Sequence, residues 1–213
     1  MGNFWSRYKR NHAAVFGLFV IVLIIVMAIT ASLLYPEDPF RLVGKPLSKP
    51  LTNGFLLGSD SLGRDVASGI VHGAKTSLLI GFVATLVSVF IGIFFGAFAG
   101  YFGGLIDDIL MRVTEIFQTI PSFIFAILLV AIMKPSISSI VIAIAVVSWP
   151  GVARLVRGEF LAVKNREFVQ ACHTLGMSDL RIMLWEILPN CLSPIIVVGL
   201  SLIHISEPTR PYW

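Results

Sequence analysis

Residues 13–34 read AAVFGLFVIVLIIVMAITASLL, a run without a single charge. At ~1.5 Å of helical rise per residue, such a run crosses the roughly 30 Å hydrocarbon core of a bilayer. Arg7, Lys9 and Arg10 stand before it as they do in a secretory signal, but the run is too long for one and no A-x-A cleavage pattern precedes Tyr35-Pro36. It reads as a retained membrane anchor, and the polar, proline-containing stretch 35–39 marks its exit from the bilayer.

The same reading extends along the chain. Of 213 residues 56% are hydrophobic and 13% charged, against the one-quarter charged content of soluble domains. A second uncharged run, 77–100, carries Gly92, Gly96 and Gly100 at four-residue spacing, which places three small residues on one helix face where another helix can approach closely. After Gly103-Gly104, the residues Asp107, Asp108 and Arg112 mark an aqueous boundary. A third helix is expected from about Leu105 to Met133, ended by Lys134-Pro135. The fourth run, 137–153, has Trp149 and Pro150 near its end, and tryptophan there suits an interface belt. A fifth begins at Cys191, but His204, Glu207 and Arg210 arrive before it completes a span. The fold class is therefore all-α, a polytopic transmembrane helix bundle with four complete spans and an incomplete fifth.

Charge and cysteine usage narrow the function. The net charge of +4 comes from basic residues scattered through the joints between apolar runs, without the aromatic-interleaved patch of a nucleic-acid binder. Lipid headgroups and topology account for them. Cys172 and Cys191 stand apart with no CxxC spacing and no histidine cluster, so neither a disulfide framework nor a metal site is indicated, and no cofactor motif occurs. The positive-inside rule places the tail 1–12 and the basic segment 154–190 in the cytoplasm and the loop 35–76 outside. No GxxxxGK[ST] phosphate loop is present, so any ATP-derived energy comes from another chain.

Within 154–190, the sequence from Glu167 reads EFVQACHTLG, then MSDLRIMLWE, then ILPN. Phe168, Ala171, Cys172 and Leu175 recur at helical spacing and give a short helix an apolar face. Gly176 is suited to a left-handed residue that stops it. Ser178 can cap a second helix with Leu180, Met183, Leu184 and Ile187 on its apolar side. Two amphipathic helices joined by a glycine turn make a peg for a partner's groove.

This stretch resembles the EAA loop of binding-protein-dependent ABC importer permeases. The matching positions are Gln170, Ala171 and Cys172, then Gly176, then Leu188 and Pro189; Gln170 replaces the signature's acid, Cys172 its second alanine, and Glu186 its isoleucine. The block LGSDSLGRD, with Gly58, Asp60, Gly63, Arg64 and Asp65, and the head from Tyr8 to Phe40 resemble the C-type permease of the dipeptide, oligopeptide and nickel branch. The resemblance implies a type I importer permease without ATPase activity of its own, with 77–199 as permease domain and 154–190 as coupling loop. It also implies a B-type permease, two cytosolic ATP-binding subunits and a solute-binding protein as partners, in a bacterial or archaeal inner membrane. Peptides are the expected cargo and nickel chelates the alternative.

Two other classes fit less well. A secondary transporter places ionisable residues at mid-membrane, and Glu115, near a helix end, is the sole candidate. A membrane enzyme would use Asp107 and Asp108 as ligands or His72 or His173 as a base, but no companions stand at the spacing such chemistry needs. The cluster Asp60, Arg64, Asp65 reads as a structural clasp. Residues 200–213 begin LSLIHISEPTR, which resembles a translated transposon-type sequencing adapter. The expectation is that native coding ends near Gly199, before a completed fifth and a sixth span.

Overall fold

The protein is described by a computed structural model over residues 9–203, Asn53 excepted. Residues 1–8 of the basic tail and 204–213 of the adapter-like tail lie outside the described residues. The described elements are helices: α1 (His12–Leu34), α2 (Val66–Phe102), α3 (Gly104–Thr119), α4 (Ser122–Ile132), α5 (Ile137–Val163), α6 (Glu167–Thr174) and α7. α7 starts with Asp179–Arg181, widens into a π-helical stretch Ile182–Ile187, and continues as Leu188–Ile203. The chain forms two compact units, Met1–Leu79 and Ile80–Trp213.

In the first unit, Asn11 opens α1 by accepting a hydrogen bond from Ala14 N at 3.2 Å. Ala28 and Ala31 are the buried side chains of this helix, and its large apolar residues face outward, as a lipid-facing span requires. The chain then folds into a clasp. Ser59 pairs with Asp65 in an isolated antiparallel bridge. Ser59 Oγ donates to Lys45 O at 2.6 Å and accepts from Ser48 N at 2.9 Å.

Asp60 Oδ1 accepts from the backbone of Leu62 and of Arg64, both at 2.8 Å. These N–H groups, Arg64's above all, hold the Asp60 carboxyl below its usual range. Gly58 (φ +86°) and Gly63 (φ +81°) lie in the left-handed region, and a Cβ on either would come within 2.4 Å of Ser48 O or 2.3 Å of Gly44 O respectively. Asp65 then caps α2 by accepting from Ala67 N at 2.9 Å. The helix consequently starts at Val66, a full three turns before the uncharged run at Ser77.

The second unit is built on close approach of α2 and α5. A Cβ on Gly92 would lie 2.5 Å from Val152 Cβ, on Gly96 2.4 Å from Ala153 O, and on Gly100 2.6 Å from Phe160 Cβ. The glycine stripe is thus the seam between two backbones. Pro150 sits inside α5 and leaves a carbonyl one turn earlier without its donor. Beside that carbonyl, Ser88 Oγ donates to Ala84 O (2.8 Å) and Ala145 O (3.3 Å). Trp149 is buried between Phe95 and Phe117, with centroids 4.7 and 5.2 Å away.

The single third helix expected from Leu105 to Met133 is instead a broken one: α3 and α4 are bent by 81°. Pro121 causes the break. Ile120 is driven to an extended conformation (φ −91°, ψ 131°) because a residue before proline is disfavoured in the helical region. Among the described residues four helices are long and apolar enough to span a bilayer, and the bent pair makes a fifth candidate. The second loop helix and the fifth apolar run, read from sequence as separate, are one helix whose span-length part covers Asp179–Leu200. Met183, Ile187, Cys191 and Ile195 form its buried stripe at four-residue spacing, and this stripe carries the helix from the loop into the membrane run.

Candidate functional site

The 154–190 segment is less of a loop than its charges suggest, because α5 continues to Val163 on a buried stripe of Val152, Val156, Phe160 and Val163. Arg154 and Arg157 occupy the other side of that helix. Past it, α6 and the start of α7 form a peg pinned to the core by Val169, Ile182 and Met183, all buried with Phe160 and Val156 in one cluster.

The turn between them is a Schellman motif. Met177 N donates to Cys172 O at 3.1 Å and Gly176 N to His173 O at 3.0 Å, with Gly176 at φ +76°. Cys172 and Met177 pack against the same core, which supplies the hydrophobic contact that accompanies such a cap. A Cβ on Gly176 would meet nothing within 4 Å, so its requirement is purely conformational. Gly176→Ala should cost about 1 kcal/mol and lower the melting temperature in detergent, whereas Gly176→Asn, tolerant of this region, should recover part of the loss.

The positions singled out from sequence divide by orientation. Gln170, Ala171, Gly176 and Pro189 are exposed, and Cys172 and Leu188 are half-buried; Gln170 Nε2 donates to Asn165 O at 3.2 Å. The expected apolar faces need correction. Val169, not Phe168, enters the core, and Leu175 is 79% exposed. On α7 Ile182, Met183 and Ile187 turn inward while Leu180, Leu184 and Trp185 turn out. The π-helical stretch resets the phase there. Leu188 N donates five residues back to Met183 O, which widens the turn just before Pro189, whose ring an ordinary α-turn accommodates poorly. The peg therefore presents an exposed apolar tip of Leu175, Leu180, Leu184 and Trp185 beside Arg181 and Glu186.

Polar ties that sequence reading missed hold the peg's base. Arg157 makes a two-pronged pair with Asp107, Nε to Oδ1 at 2.5 Å and Nη2 to Oδ2 at 2.6 Å. Lys164 Nζ donates to Gly100 O at 2.9 Å, satisfying a carbonyl at the end of α2. Asp108, Arg112 and Glu115 are exposed, with Arg112 and Glu115 3.7 Å apart. His72, in the other unit, lies 2.9 Å from Tyr35 O. Among the described residues no cluster of histidine, cysteine and carboxylate side chains is arranged to hold a metal ion. The Gly58–Asp65 block is engaged with its own backbone and with that of residues 43–48, with Arg64 stacked 5.4 Å over the Phe40 ring.

Residues 92–204, which include the glycine seam and the whole peg, match the binding-protein-dependent transport system inner membrane component family. The chain belongs to that family. Its residues 1–49 match the N-terminal transmembrane domain of oligopeptide transport permease C. It is similar to the dipeptide transport system permease protein DppC of Escherichia coli K12, 42% identical over 91% of this chain and 67% of that protein. The Bacillus subtilis protein of the same name is 39% identical over 91% of this chain and 60% of its own length. A glutathione transport system permease protein of Shigella flexneri is 38% identical over 99% of this chain and 74% of that protein. Family membership and the several apolar helices make the chain a multi-pass inner-membrane component, an all-α permease of the importer type.

Proposed function

We propose that this chain is the C-type permease subunit of an ATP-driven peptide importer, with the peg around Gly176 seated in a cytosolic ATP-binding subunit. The observation that carries the reading is the peg's form: a Schellman turn whose core side packs through Val169, Ile182 and Met183 and whose apolar tip is left exposed. An exposed apolar tip on a rigid element is what a helix-in-groove contact needs. The dipeptide and glutathione systems named for its relatives support small peptides as cargo. In this reading a B-type permease completes the pathway, a solute-binding protein delivers peptide, two ATP-binding subunits supply energy, and the N-terminus is cytoplasmic. Closure of the ATP-binding subunits shifts the peg, and the bundle alternates between outward and inward access.

The test uses the full-length gene product co-expressed with these partners and carrying a photo-crosslinking amino acid at Leu175. An adduct with the ATP-binding subunit, together with peptide uptake by liposomes that hold ATP but no ion gradient, is the expected result. Uptake driven by an ion gradient without the ATP-binding subunits, and no adduct at Leu175, would refute the reading.

A further inference from the structure

Tyr101 stands one residue before the end of α2, and its side chain bridges the two arms of the peg. Its hydroxyl donates to Asp179 Oδ1 at 2.6 Å, at the first residue of α7, and lies 3.4 Å from His173 Nε2 in the last turn of α6. The His173 ring stacks on the phenol with centroids 6.3 Å apart and planes 24° from parallel. His173 and Asp179 each stand three residues from Gly176, so one phenol touches both sides of the turn.

Its own backbone is firmly placed. Gly100, the preceding residue, abuts Phe160 and the Arg157 backbone, and Lys164 Nζ reaches the carbonyls of Gly100 and Tyr101 at 2.9 and 3.4 Å. The charge-assisted O–H···O bond to Asp179 is of the strong kind, and it is directional where the apolar packing under the peg is not. The packing of Val169, Ile182 and Met183 seats the peg on its core side, and both flanks of the turn are tied to α2 through Tyr101.

We propose that Tyr101 is a positioning residue for coupling, fixing the Gly176 turn to the second span so that displacement of the peg moves α2 and α5 together. This rests on the peg's seating in an ATP-binding subunit. Since the core beneath the peg does not involve the hydroxyl, Tyr101→Phe retains the fold and removes only the tie.

The experiment measures ATP hydrolysis and peptide uptake side by side, with the full-length gene product assembled with its partners in liposomes. In Tyr101→Phe the peptide delivered per ATP hydrolysed should fall about fivefold. Asp179→Ala should give the same ratio, and the double variant should be no worse than either, since the two side chains form one interaction. An unchanged ratio, additive losses in the double variant, or hydrolysis and uptake falling in proportion with a lower melting temperature would each overturn the inference. The Leu175 adduct, measured in the unsubstituted protein, separates the two ideas. Its absence would sink the peg's seating, whereas its presence with an unchanged ratio in Tyr101→Phe would sink the role of Tyr101 alone.

Discussion

Gly96→Leu should prevent the second unit from folding as a bundle, giving aggregated protein in detergent size-exclusion where the unsubstituted chain gives a single peak. The position is severe because the first atom a Cβ would meet is backbone: Ala153 O at 2.4 Å, followed by Val156 Cβ at 2.7 Å and Arg157 N at 3.0 Å. A flexible side chain can swing aside, but a carbonyl inside α5 cannot. Overpacking of a core by extra methylenes costs about 1–3 kcal/mol where side chains can adjust. Here the helices must separate, and contact is lost along Gly92 and Gly100 as well. Gly96→Ala should already lower the melting temperature. Gly151 and Gly158, in α5, have nothing within 4 Å of an added Cβ, so alanine there should be neutral or stabilising by up to about 1 kcal/mol. Equal sensitivity at Gly96 and Gly158 would show that glycine acts through flexibility and not through close approach.

That seam was readable from sequence, as four-residue glycine spacing on an uncharged run has one efficient use between helices. The Gly176 turn was readable for a similar reason, since a glycine ending a short amphipathic pattern has a narrow set of conformations. Helix limits were harder. α2 begins at Val66 because the Asp65 carboxylate caps it, and α5 reaches Val163 because its buried stripe continues past charges on the other face, while hydropathy alone ends both helices at the last apolar run. Phe168 and Leu175 read as inward because they are large and apolar, yet the inward position belongs to Val169; on an element proposed to dock a partner, size does not separate the core face from the docking face. The bend at Ile120 had a local signal in Pro121, outweighed by the apolar run that follows. The ties at the peg's base had none: Tyr101 and Asp179 are 78 residues apart and Asp107 and Arg157 are 50 apart, and only the fold brings them together.

Arg157→Ala should cost more than Asp107→Ala, and the two losses should not add. Arg157 is 36% exposed and Asp107 14%. A guanidinium deprived of its carboxylate can turn to water, whereas the less exposed carboxylate deprived of its guanidinium keeps part of its desolvation cost. Partial exposure of Arg157 screens the pair, so the loss on Arg157→Ala is placed at about 2–3 kcal/mol, below that of a fully buried pair. Asp107→Ala should cost about 1–2 kcal/mol, including the loss of a carboxylate in the first turn of α3, where the helix dipole favours it. The double variant should fall short of the sum by about 1–2 kcal/mol, the coupling of a bidentate charged pair. Arg157→Lys provides the geometric control: a lysine keeps the charge but cannot present two parallel N–H groups to one carboxylate, so it should restore only part of the stability. Thermal unfolding of the purified protein in one detergent and buffer measures all four, and full additivity would mean that the fork between α3 and α5 carries no stability. If the coupling is found, it places the rigid joint of this unit at the foot of the peg, where α3 is fastened to α5 by Asp107 and Arg157 and α2 to α5 by Lys164. A push on the Gly176 turn then moves three helices as one piece instead of bending the segment that carries it.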